Sequence, residues 1–139
     1  MKDPSLRRIL FVEDDPDIQI VAKMALEAIG GFLVLACGSG SEALSRLGEF
    51  GPDLVLLDVM MPGMDGPATL AALRETPSGR DLPVVFMTSR VQAQEVAAYR
   101  EMGAADVIPK PFDPMALSEQ VRSVWDTLRA RLDSARVGE

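Results

Sequence analysis

Five short apolar runs, each followed by a stretch of helical spacing, recur along the chain and leave few folds open to it. The runs lie near 8 to 13, 32 to 36, 53 to 58, 83 to 88 and 105 to 109; the helical stretches lie near 16 to 29, 40 to 48, 66 to 75, 91 to 102 and 114 to 133. Strands that alternate with helices in this way pair in parallel, because parallel strands need a crossover connection and a helix supplies it. The expected fold is α/β, a five-stranded parallel sheet with helices on both faces. Boundary residues agree. Asp15-Pro16 and Asp113-Pro114 each read as an N-cap followed by Pro at the first helical position, where a missing N–H costs nothing. Ser39-x-x-Glu42 and Ser89-x-x-Gln92 have capping-box spacing, and Gly30 and Gly103 suit helix C-termini. Pro109 cannot donate to a sheet ladder, so the fifth strand is expected at an edge.

A chain of 139 residues fits one domain, here 1–139. No apolar run approaches the ~18 residues of a membrane span. The polar start, Met1 to Arg8, leads straight into a strand without the apolar stretch of a secretory signal, so a cytoplasmic protein is expected. Cys37 is alone and reads as a small buried hydrophobe. A net charge of −7 argues against direct nucleic-acid binding and against an anionic membrane.

The chemistry sits at the strand ends. Asp53-Leu-Val-Leu-Leu-Asp58 delivers a carboxylate to the rim of the sheet, and Ile9-Leu-Phe-Val-Glu13-Asp14-Asp15 delivers more; no histidine exists in the chain to balance them. Carboxylates crowded on one rim repel, which raises the pKa of at least one unless a cation relieves them. Mg²⁺ is the natural candidate, since it prefers oxygen ligands and takes one or two carboxylates. Asp15 is better placed to cap the first helix. A carboxylate beside Mg²⁺ can simply hold metal, or it can attack phosphorus. The other strand ends bear on the choice: Val84-Val-Phe-Met-Thr88 ends in a hydroxyl and Asp106-Val-Ile-Pro-Lys110 in an ammonium, the groups that charge developing on a transferred phosphoryl requires.

The acid pair, Leu56-Leu57-Asp58-x-x-Met61-Pro62-x-Met64-Asp65-Gly66, Thr88-Ser89 and Lys110-Pro111-Phe112 together span nearly the whole chain. In this spacing the sequence resembles the CheY-like receiver domain of two-component response regulators. The resemblance implies a flavodoxin-like (βα)5 fold with strand order 2-1-3-4-5, and it puts the ends of strands 1 and 3 roughly 5 Å apart at the topological switch point. It implies Asp58 as phosphoacceptor, assisted by Thr88 and Lys110. It implies Mg²⁺ held by Asp14, Asp58 and the backbone carbonyl of Met60, with Glu13 acting through water. It implies a cis peptide before Pro111. The donor it implies is a partner, a histidine kinase or a histidine phosphotransfer protein, docking on the solvent edge of the first helix, whose Ile18, Val21, Met24 and Ala25 are expected to be mainly core. The output partner or output domain stays open.

Many receivers carry an aromatic residue three positions before the lysine; here the position is Val107, which has no comparable inward and outward rotamers. Two other readings are a receiver-like interaction module that works without phosphorylation, and a phosphatase of the haloacid dehalogenase type. The latter wants a second Asp two residues after the nucleophile, where Met60 stands. Leu117, Val121, Val124, Trp125, Leu128 and Leu132 keep helical spacing over a last helix longer than the sheet needs, so its turns after about 128 should project. They suit a linker, a dimer contact or a solvated end carrying Arg129, Arg131 and Arg136.

Overall fold

A computed structural model describes residues 5–137. It contains β1 (Arg8–Val12), α1 (Pro16–Ala28), β2 (Leu33–Cys37), α2 (Gly40–Phe50), β3 (Leu54–Asp58), α3 (Gly66–Arg74), β4 (Val84–Thr88), α4 (Ala93–Glu101), β5 (Asp106–Pro109) and α5 (Leu117–Val137). The strands form one parallel sheet in the order β2-β1-β3-β4-β5, as expected, with Pro109 on the edge strand. β3 and β4 are buried at every position while the edge strands β2 and β5 are not. A parallel sheet covered on both faces demands continuous apolar runs at its centre, and Leu54-Val-Leu-Leu and Val84-Val-Phe-Met supply them.

Alternation along each strand sorts the core into two layers. On one face Leu10, Val12, Val55, Leu57, Val84 and Phe86 pack against Ala43 and Leu47 of α2, Leu70 and Leu73 of α3 and Tyr99 of α4. On the other, Ile9, Phe11, Leu54, Leu56, Val85 and Met87 pack against Ala22 and Leu26 of α1 and Leu117 and Val121 of α5. Cys37 is fully buried, and burial followed by the charge of Glu42 pushes its thiol up to about 11, so it stays an uncharged hydrophobe.

Three expectations need correction. α1 buries Ala25 and half-buries Ile18 as expected, together with Ala22 and Leu26, whereas Val21 and Met24 face solvent with Ile20. An amphipathic stripe read from spacing alone has an uncertain phase, and the buried stripe is turned toward Ala22 and Leu26. α4 begins at Ala93 and not near 91: its N-cap is Gln92, whose N–H bonds Glu95 Oε1 at 3.2 Å, and Ser89 stays in the loop because the Arg90 N–H turns back to Thr88 Oγ1. α5 starts at Leu117, after a turn in which Asp113 accepts from Met115 N through its side chain and from Ala116 N and Leu117 N through its carbonyl. Its burial then fades outward, from Leu117 and Val121 at 0% through half-buried Val124 and Trp125 to Leu132 at 53% exposed. Residues 130–133 are exposed, and the side chains that follow, Arg136 among them, lie outside the described residues.

Candidate functional site at the sheet rim

Glu13, Asp14 and Asp58 converge where β1 and β3 end side by side, each offering a carboxylate oxygen, and these oxygens lie within 4.8 Å of one another. β1 closes at Val12, yet the Glu13 N–H still reaches Cys37 O at 3.0 Å, so the ladder carries the residue past the strand and under cover. Glu13 and Asp58 are buried and Asp14 is exposed. Asp15 caps α1 as predicted, accepting from Asp17 N and Ile18 N.

The segment after Asp58 folds back tightly. Gly66 N–H bonds Val59 O at 2.9 Å, and a Cβ at Gly66 would lie 2.7 Å from Val59 Cα and 2.8 Å from Asp58 O, closer than any side chain permits. Glycine at this position lets α3 begin against the backbone that carries the acid. The Met60 N–H points at Asp58 Oδ1 at 3.4 Å.

On the other side, β4 delivers Thr88, buried, and β5 delivers Lys110 over a cis peptide to Pro111. Lys110 N–H holds to Thr88 O at 2.9 Å, and the ammonium donates to Glu13 Oε1 at 2.9 Å and to Asp58 Oδ1 at 3.2 Å. Burial works to lower the Lys110 pKa, but the bond to Glu13 and the charges of Asp58 and Glu13 outweigh it and the net shift is upward. It stays charged.

Sequence reasoning placed all of these residues together and missed one link, the direct pairing of Lys110 with Glu13. The resemblance implies a role for Glu13 only through water. The signal was its place immediately after the buried apolar run Ile9–Val12, where a carboxylate has little water available. Burial above all, with Asp58 adding to it and the Lys110 hydrogen bond opposing it, raises Glu13 from 4.5 to about 7. The raised pKa expected of the acid cluster therefore falls on Glu13.

A testable consequence follows from that shift. The folded state holds the Glu13 proton more tightly than the unfolded chain does, so this group's contribution to stability is complete below about pH 4.5 and is lost as pH rises through about 7. Urea unfolding in chelator should show Glu13→Gln gaining on the wild type across that interval; parallel stability profiles would contradict it.

The donor set fits a hard divalent cation: three carboxylates against one ammonium leave excess negative charge at a partly buried site, and all the candidate ligands are oxygens. With a hydroxyl and an ammonium on the flanking strands, the arrangement can also hold a phosphoryl group.

The response regulator receiver domain family matches residues 9–122. The DNA-binding response regulator MtrA of Mycolicibacterium smegmatis is 40% identical over 121 residues, covering 87% of this chain and 51% of that protein. The chain thus spans about half the length of the curated relatives it matches. Among solved structures, chemotaxis protein CheY4 of Vibrio cholerae aligns with a TM-score of 0.79 at 25% identity, covering 86% of this chain and 99% of that one. The N-terminal domain of a response regulator receiver protein from Methanoculleus marisnigri aligns with a TM-score of 0.69 at 39% identity, covering 86% and 97%.

Proposed function

Because the chain belongs to the response regulator receiver domain family, we propose that it accepts a phosphoryl group on Asp58 from a partner's phosphohistidine and changes its surface in response. The observation that carries this reading is the convergence of three strand ends on one carboxylate: Lys110 Nζ at 3.2 Å from Asp58 Oδ1, Thr88 buried on the neighbouring strand, and the Glu13, Asp14 and Asp58 oxygens within 4.8 Å. Asp58 is the nucleophile. Lys110 and the Thr88 hydroxyl meet the charge that develops on the phosphoryl oxygens. Asp14, Asp58 and the Met60 carbonyl would hold Mg²⁺, with Glu13 supporting it through water; the bound cation would supply charge neutralisation to the incoming phosphate. The reading assigns no enzyme activity beyond assistance to the chain's own phosphorylation and slow dephosphorylation.

The chain has no histidine, so the donor is a histidine kinase or a histidine phosphotransfer protein. Ile20, Val21 and Met24, exposed at 57, 44 and 64%, lie on α1 beside the acids and give that donor an apolar landing strip. Output passes to a partner or an attached output domain: relatives of twice the length are named DNA-binding, while a net charge of −7 argues against DNA contact by this domain. The projecting end of α5 suits a linker to such a domain. Among the described residues no helix is long and apolar enough to cross a membrane, which fits a cytoplasmic protein. Transfer of label from a purified phosphohistidine-bearing donor to this chain in Mg²⁺ tests the reading.

The aspartyl phosphate should be long-lived. Its hydrolysis needs a water in line with the bond to phosphorus, and the side chain two residues after Asp58 is an exposed thioether, a weak acceptor that orients water poorly. Met60→Asn should speed loss of the phosphoryl group about fivefold, and Arg90→Ala about twofold, followed as decay of phosphoprotein after donor removal. An unchanged rate in Met60→Asn would place water positioning elsewhere.

A further inference from the structure

α4 is held at one end. Among its residues only Tyr99 is buried, whereas α2 buries three and α3 four on the same face of the sheet. The Tyr99 ring meets Phe86 edge-on, with centroids 5.3 Å apart and planes at 89°. Phe86 stands two residues before Thr88 on β4, so their side chains share a face. Val107, in register with Phe86 on β5, belongs to the same cluster. The strand offers only a small side chain here, and the helix supplies the ring.

Beyond Tyr99 the C-terminal end of α4 is tied down. Arg100 pairs with Asp106 at 3.0 Å. Ala104 N–H bonds Tyr99 O at 3.1 Å. The Arg74 guanidinium donates to Gly103 O at 3.1 Å while also holding Gly79 O at 2.9 Å and Leu82 O at 2.8 Å. The other end differs. Residues 89–94 are all exposed. An open cleft of about 340 Å³ is lined by Ser89, Arg90, Val91, Gln92 and Glu95. The loop joins the strand through the Arg90 N–H to Thr88 Oγ1 bond, 3.0 Å long. That hydroxyl oxygen is the atom the phosphoacceptor site would recruit.

We propose that Tyr99 is the pivot of a lever: when the Thr88 hydroxyl turns toward a phosphoryl group on Asp58 it leaves the Arg90 N–H, and the loop 89–92 with the first turn of α4 moves while the Phe86–Tyr99 contact holds the rest. The change is thereby delivered at the N-terminal end of α4. Tyr99 is a positioning residue that touches no reacting atom. The inference rests on the phosphoacceptor reading, in which Thr88 turns toward the phosphoryl group, and adds that Tyr99 confines the resulting movement to one end of α4.

Amide-resolved hydrogen exchange of the whole chain, with and without beryllofluoride and Mg²⁺, tests it, with fluorine NMR reporting bound beryllofluoride. In the wild type, exchange at 89–96 should change by about threefold or more while 100–105 stays nearly constant. In Tyr99→Leu the change should spread through Gly103, in Tyr99→Phe it should keep the wild-type pattern, and both should be phosphorylated by acetyl phosphate within about twofold of the wild-type rate. Should Tyr99→Leu not fold, Phe86→Leu removes the same contact from the strand side and carries the same expectation. A uniform change across 89–104 in the wild type, or a wild-type pattern in the leucine variants, overturns the pivot alone. Failure of the chain to bind beryllofluoride overturns the phosphoacceptor reading with it.

Discussion

Lys110→Met should destabilise the metal-free protein by about 2 to 3 kcal/mol at pH 8 and by clearly less at pH 5. Methionine keeps the apolar stem and removes the charge, leaving buried Glu13 and Asp58 facing each other without the ammonium that now bonds both. Breaking a fully buried pair costs about 3 to 5 kcal/mol; the lower figure reflects the fifth of the Lys110 side chain that remains in water. The pH dependence comes from Glu13. Its pKa of about 7 means that at pH 5 it carries its proton already, so less negative charge is stranded. Urea midpoints of variant and wild type at the two pH values check this, with Mg²⁺ expected to recover part of the loss at pH 8. An equal loss at both pH values would show that the pairing with Glu13 matters little.

Asp14→Asn should weaken Mg²⁺ binding at least about tenfold, or about 1.4 kcal/mol, and slow phosphorylation in step. Asp14 is the exposed member of the acid cluster, and its oxygen lies within 4.8 Å of those from Glu13 and Asp58. The adjacent Asp15 supplies the control. Its carboxylate accepts from Asp17 N and Ile18 N, so Asp15→Ala should cost about 1 kcal/mol of stability through the lost cap and leave metal affinity within about twofold. Calorimetric titration with Mg²⁺ and urea unfolding separate the two. Loss of metal binding in a folded Asp15→Ala would mean that the ligand assignment is off by one residue.

The sheet was legible because its central strands are buried on both faces and therefore read as unbroken apolar runs, and Pro109 marked an edge that the ladder confirms. The site was legible for a related reason: Asp58 and Thr88 are the first polar residues after such runs and Lys110 the first after the shorter apolar stretch Val107–Pro109 of the edge strand, so all three fall on one rim once the strands are parallel. What sequence could not give was pairing across that rim. Glu13 and Lys110 lie 97 residues apart, and no local pattern says which carboxylate an ammonium on the edge strand will reach. The side of α1 that faces the sheet was read only in part: Ile18 and Ala25 turn inward as expected, but Val21 and Met24 are as apolar as Ala22 and Leu26, and spacing alone does not say which of these the sheet covers. Tyr99 gave no signal in a helix otherwise half polar. Its role appears only when Phe86 and Val107 are seen side by side in the register.

The central claim is that Asp58 takes the phosphoryl group. Intact-mass analysis of the chain and of Asp58→Asn, incubated side by side with acetyl phosphate and Mg²⁺, tests it directly. The wild type should gain a single acid-labile, hydroxylamine-sensitive phosphoryl group and Asp58→Asn none. A wild-type chain left unmodified under conditions that label another receiver, or equal labelling of Asp58→Asn, would contradict the account.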